Sequence, residues 1–95
     1  MVLVAVGLLA TSIPAFAFTG QQYAKEAKIR LKQARAAALK AHPGKITDEE
    51  LEKEAGGSGL RYSFDIASKQ GTQEVGVDAQ TGAVLENRAE GPNPD

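Results

Sequence analysis

Residues 60–87 read LRYSFDIASKQGTQEVGVDAQTGAVLEN, and this stretch decides the fold. Over 60–67 apolar side chains alternate with polar ones, and the same alternation recurs over 74–78. Such alternation is typical of strands that bury one face and expose the other. Because the turn sequence Gln70-Gly71 separates the two runs, the stretch predicts an antiparallel hairpin with one apolar and one charged face.

A second turn follows in the sequence DAQTG at 78–82. Asp78 can accept hydrogen bonds from nearby backbone amides, Thr81 favours a turn, and Gly82 can adopt the left-handed conformation that closes it. We interpret all three as turn formers. The chain then returns as a further strand over 83–87.

Upstream, residues 21–41 form the clearest helical pattern, in which alanine and leucine recur every three or four positions among strong helix formers. This narrow stripe predicts an amphipathic helix that lies close on a sheet, with a second candidate start at Ile29. Pro43 and Gly44 end it, through the missing donor of proline and the tolerance of glycine for positive φ. The predicted fold is α+β, with one long N-terminal helix on one face of a small antiparallel sheet of three or four strands.

The segment between helix and hairpin supports two interpretations. Thr47 and Glu50 have the spacing of a capping box, and Gly56 suits a helix C-terminus, so local propensity predicts a short helix. An edge strand over 46–54 would instead give the strand that begins at Leu60 a partner. The residues alone leave helix and strand open over 47–55.

Composition excludes several functions. A chain of 95 residues without cysteine forms one small domain with no disulfide and no thiolate metal site. The single histidine, His42, has no serine or aspartate at a spacing that suggests an activated nucleophile. The glycines over 56–59 lack the Lys-Ser/Thr of a phosphate-binding loop. We expect no enzyme, no cofactor and no metal site.

The N-terminus is apolar and ends in Ala15-Phe16-Ala17, which is a signal-peptidase site. We therefore predict a cleavable signal peptide over 1–17, a helical extension over 18–28 and a disordered tail over 90–95. A membrane anchor is the alternative for the first segment. Cleavage predicts a periplasmic or secreted protein that meets the membrane only transiently, through its signal peptide.

Charge is divided along the chain, with a net charge of +6 over 25–45 and −7 from residue 46 onward. Complementarity between a basic helix and an acidic sheet explains this division better than a nucleic-acid footprint, because no aromatic residues are interleaved with the basic ones. We expect no nucleic-acid partner and a monomeric protein.

Together these residues resemble the PepSY domain, which we place over 29–89. The resemblance is carried by IRLKQA (29–34), ALKAHPGKI (38–46), Leu51, YSFDI (62–66) and VGVDAQTGAVL (75–85). Arg30 stands where the family usually has a serine or threonine helix cap, which favours a helix that continues upstream. The resemblance implies that 46–54 is an edge strand. It also implies a noncatalytic module of the kind found in propeptides of thermolysin-like metallopeptidases and in exported bacterial proteins.

Our leading hypothesis is an exported binding module that contacts, and restrains, a peptidase or another envelope protein. An exposed edge strand can pair with an extended segment of such a partner. The candidate contact residues are Ile46, Thr47, Glu49 and Leu51.

The alternative is a module of the cell envelope that senses a ligand or calcium. Glu49, Glu50, Glu52, Glu54 and Asp48 could offer oxygen ligands to Ca²⁺, and the even-numbered glutamates would share one face of a strand. A solvated face that resists aggregation explains the same residues.

Overall fold

Four antiparallel strands in the order β1-β2-β3-β4 form one sheet in the computed structural model, which describes residues 18–91. The elements are a 3₁₀ helix (Gln21–Glu26), α1 (Leu31–Ala41), β1 (Lys45–Lys53), β2 (Leu60–Ser68), β3 (Gly71–Asp78) and β4 (Val84–Ala89). The α+β class is confirmed. The predicted signal peptide, residues 1–17, lies outside the described residues.

The alternation in β2 and β3 places their apolar side chains on the face that α1 covers. Tyr62 and Phe64 are 3% and 1% exposed, so both point into the core as the period-two pattern predicts. Ala34 and Ala38 of α1 are completely buried, because small side chains let the helix lie close on the sheet. The buried core comprises Ala34, Ala38, Leu51, Leu60, Tyr62, Phe64, Ile66, Val75, Val77 and Ala79.

The prediction of one long helix is wrong. α1 has 11 residues, and the 3₁₀ helix is separated from it by an extended Ala27 with φ −81° and ψ 136°. The break has a tertiary cause, because the amides of Lys28 and Ile29 both donate to the carbonyl of Ala79, each at 2.9 Å. At Arg30 the backbone is also extended, and its amide donates to Oε1 of Gln33 at 3.1 Å, which caps α1.

Residues 45–53 form a strand rather than the short helix that the capping box favours. β1 pairs with β2 along its length, and this pairing supplies more hydrogen bonds than so short a helix would make. The register shifts between Ile46 and Asp48, so Thr47 is an extra residue whose hydroxyl donates to the carbonyl of Asp65 at 3.3 Å. Ile46 and Glu49 therefore face α1, while Asp48 and Glu50 occupy the opposite, polar face.

Candidate functional site

The outer edge of β1 is covered over only part of its length. Thr19 runs parallel to the strand in an isolated bridge to Glu50, and the Leu51 amide donates to the Thr19 carbonyl at 2.8 Å. Within residues 18–91, β2 is the one strand that pairs with 45–49. We call Glu50–Lys53 the covered half of β1 and Lys45–Glu49 the open half.

Gly20 allows the chain to approach the covered half. Its φ is +91°, and a Cβ atom there would lie 1.8 Å from the Leu51 carbonyl oxygen. Beyond it, Lys53 pairs with Glu26 at 3.0 Å and stands over the ring of Tyr23, 5.1 Å from its centroid. These contacts hold the N-terminal segment along the covered half.

A groove of about 690 Å³ opens beside the open half. It lies between α1, which packs over β2, β3 and β4, and the open half of β1, with Phe18 and Thr19 on one side. The groove is lined by Phe18, Thr19, Arg35, Leu39, Ile46, Thr47, Asp48 and Glu49. An edge strand beside a partly apolar groove is the arrangement in which β-augmentation occurs.

One ion pair crosses from α1 to β1 at this groove. Arg35 binds Glu49 through both oxygens, with Nε–Oε1 at 2.5 Å and an NH2–Oε2 distance of 2.9 Å. This hydrogen bonding raises the pKa of Arg35. The two side chains are 33% and 16% exposed, so the pair orders the groove wall without being sealed from water.

The predicted contact residues separate into two groups. Ile46, Thr47 and Glu49 line the groove, whereas Leu51 is 1% exposed and belongs to the core. Leu51 therefore offers no side chain to a partner, and its amide is already used by Thr19.

The predicted contact residues leave out five of the residues that line the groove, namely Phe18, Thr19, Arg35, Leu39 and Asp48. Arg35 and Leu39 are four apart on α1 and so lie on one helix face, a spacing that could have indicated them. Phe18 belongs to no periodic pattern. Its ring lies 6.4 Å from that of Tyr62, a contact that only the fold brings about.

Asp78, at the end of β3, links the β1–β2 loop to the β3–β4 turn through hydrogen bonds. Asp78 is 2% exposed, and its carboxylate accepts two hydrogen bonds from Ser58, from the amide at 2.7 Å and from the hydroxyl at 2.8 Å. It also accepts from the amides of Gln80 at 2.7 Å and Thr81 at 3.2 Å. Burial alone would raise the pKa of Asp78, but the hydrogen bonds from Gln80, Ser58 and Thr81 outweigh it and lower the pKa to about 2. Asp78 is therefore ionised at neutral pH.

The same turn also holds the entry to α1 and the start of β2. Ala79 accepts from Lys28 and Ile29 through its carbonyl, and its amide donates to Leu60 at 2.8 Å. Gly57 passes so close to the turn that a Cβ there would lie 2.4 Å from Oδ2 of Asp78. The Asp78 turn therefore contacts the segment before α1, the β1–β2 loop and the start of β2.

The predicted motif residues lie in two connections, one between α1 and β1 and one between β3 and β4. Pro43 and Gly44 lie between α1 and β1, directly after His42. The His42 amide donates to the Ala38 carbonyl in the last hydrogen bond of the helix. Thr81 and Gly82 complete the β3–β4 turn, in which the Gly82 amide donates to the Asp78 carbonyl at 2.9 Å.

The polar face of the sheet carries most of the acidic residues. Arg61 is buried there and contacts Glu86 at 3.2 Å and the Ala55 carbonyl at 3.1 Å. A hydrogen bond with Glu52 raises the pKa of Glu54. The pKa of Glu74 is also raised, first by burial and then by the negative charge of Glu86. Within residues 18–91, no group of three or more histidine, aspartate or glutamate side chains is arranged so that it could hold a metal ion.

The helix-on-sheet architecture defines a small α+β module in which, within residues 18–91, no second strand pairs with 45–49. A family model, the peptidase propeptide and YPEB domain (PepSY), matches residues 28–88, well over half of the chain. The chain therefore belongs to the PepSY family, a propeptide-type domain that is generally noncatalytic and typical of exported proteins. No curated protein and no solved structure shows a significant match to the chain. Within the described residues, no helix is both long and apolar enough to cross a bilayer.

Proposed function

We propose that this protein is an exported PepSY module that binds, and restrains, a partner protein through the open half of β1. A peptidase of the metallopeptidase type is the first partner to test, since domains of this family commonly associate with peptidases. The observation that carries the proposal is the juxtaposition of an edge without a second strand partner in residues 18–91 and an adjoining groove of about 690 Å³.

A rigid support favours docking at this edge, because a preorganised strand loses little entropy on binding. The covered half is held by Thr19 and the 3₁₀ helix, and the Asp78 turn holds the loop behind it. The open half is therefore joined to a part of the strand that is held rigidly. Its acidic side chains oppose pairing with arbitrary strands.

Binding of the purified protein to an exported metallopeptidase, followed with inhibition of that enzyme, tests the proposal. Thr47→Arg places a long cationic side chain at the groove, so we expect affinity to fall about tenfold or more. Ala89→Arg introduces the same side chain on the exposed edge of β4 and serves as the control. Equal effects of the two variants, or no effect of either, would refute docking at β1.

Export is part of the proposal and has its own test. The signal-peptidase site at Ala17 predicts that the exported protein begins at Phe18. Intact-mass measurement of the protein recovered outside the cytoplasm should give a chain of residues 18–95. A chain that retains residues 1–17 in the membrane fraction would instead support the anchor.

A further inference from the structure

We infer that the open half of β1 selects an extended basic segment in which lysine or arginine alternates with an apolar side chain. This inference rests on the proposed function, because it specifies which partner sequence the same edge accepts. It follows from the different chemistry of the two faces that meet at this edge.

A strand that pairs with the open half sends alternate side chains to opposite faces of the sheet. On the face toward α1 they meet the groove, where Phe18, Leu39 and Ile46 present apolar surface. Arg35 and Glu49 neutralise each other there, so the groove adds no net charge from this pair. Apolar side chains therefore suit this face.

On the polar face the same strand meets carboxylates. Asp48 belongs to the open half, Glu50 begins the covered half two residues further on, and Asp65 lies beside Asp48 on β2. None of the three forms an ion pair with another residue of 18–91. Opposite charges on neighbouring strands attract and like charges repel, so lysine or arginine is favoured and acidic segments are excluded.

The covered half limits the length of the docked segment. Thr19 already occupies the position beside Glu50, and its backbone blocks further pairing toward Lys53. The accessible stretch is Lys45–Glu49, which accommodates about five residues of extended chain at roughly 3.3 Å each. A short linear segment is therefore sufficient to fill the site.

Fluorescence anisotropy with labelled peptides tests the inference on the purified protein. The probe is Lys-Val-Lys-Leu-Lys flanked by glycines, and the control has the same composition with the apolar residues adjacent, Lys-Lys-Val-Leu-Lys. We expect the alternating peptide to bind about tenfold more tightly, with affinity that falls as salt rises. Equal affinity for the two peptides would overturn the alternation.

Charge variants locate the binding surface. The double variant Asp48→Asn with Glu50→Gln should weaken the alternating peptide about tenfold. The matched control, Glu54→Gln with Glu74→Gln, removes two carboxylates away from the open half, one next to Glu52 after the end of β1 and one on β3. Equal weakening by both would show non-specific attraction to an acidic protein and overturn the site.

Two outcomes separate this inference from the proposed function. Metallopeptidase binding that remains sensitive to Thr47→Arg, without any preference for the alternating peptide, would overturn the inference and leave the proposed function intact. A concentration-dependent dimer abolished by Thr47→Arg would identify a second copy as the occupant, and would also overturn the inference.

Discussion

The two halves of β1 have similar sequences and different surroundings. The open half reads KITDE and the covered half reads ELEK, and both are strongly charged with one apolar residue each. Only the covered half is met by Thr19 and the 3₁₀ helix. The comparison shows that the accessibility of a strand edge is decided by a segment distant in sequence, not by the composition of the strand itself.

The support behind the covered half gives the largest expected effect. In Asp78→Asn an NH2 group replaces one carboxylate oxygen, so at least one donor among Ser58, Gln80 and Thr81 would face another donor in this partly buried network. We expect the free energy of unfolding to fall by about 3 kcal/mol, measured by urea denaturation. Asp48→Asn, at an exposed position of the open half, should change it by less than about 0.5 kcal/mol. Similar losses in both variants would remove the distinction between the halves.

Acid should weaken the covered half through the same carboxylate. The pKa of Asp78 is lowered from 3.8 to about 2, so its contribution is complete above pH 4 and is lost as the pH falls toward 2. This loss is about 2 kcal/mol. The raised pKa values of Glu54 and Glu74 have the opposite effect on stability as the pH falls. The quantity to follow is therefore the difference in the free energy of unfolding between wild type and Asp78→Asn. A difference that stays constant from pH 5 to pH 2 would contradict the role of Asp78.

Gly20→Ala should convert the covered half into an open one. A Cβ atom cannot stand 1.8 Å from the Leu51 carbonyl oxygen, so the N-terminal segment must move away from the strand. We expect a loss of about 1 to 2 kcal/mol, because detachment limits the strain, together with faster hydrogen exchange at the Leu51 amide. Gly59→Ala is the matched control, because Gly59 has a similar φ of +93° and no atom lies within 4 Å of the added Cβ. Unchanged exchange at Leu51 would show that Thr19 does not cover the edge.

The smallest effect is expected at the open half itself. Glu49→Gln removes the ion pair with Arg35, which is partly exposed, so the free energy of unfolding should fall by about 0.5 kcal/mol. High salt should reduce this difference. Glu50→Gln, which removes a carboxylate without an ion pair in residues 18–91, should cost nothing. A larger loss for Glu50→Gln would contradict the assignment of charges at this edge.

How far the sequence predicts this molecule depends on the range of the interactions involved. The strands of the β2–β3 hairpin follow from local alternation, since burial of one face requires a period of two. The helix break does not, because the Ala79 carbonyl that captures Lys28 and Ile29 is far along the chain. The stripe of alanines continues unbroken through that break.

The site shows the same division. Ile46, Thr47 and Glu49 were predicted as contact residues because an edge strand at this position could be inferred from the resemblance. The burial of Leu51 was not predicted, since it depends on the Thr19 bridge and on the phase of the strand after the extra residue Thr47. Asp78 was predicted to accept backbone amides of its own turn, but its bonds to Ser58 follow only from the fold.

Amide hydrogen exchange on the isotopically labelled protein, alone and bound to an exported metallopeptidase, tests docking at the open half most directly. Backbone amides alternate in direction along a strand, so the Glu49 amide points to the same edge as that of Leu51. We predict that Leu51 is protected in both states and that Ile46 and Glu49 gain protection only in the complex. Added protection on β4 or on the polar face, with Ile46 and Glu49 unchanged, would contradict the account.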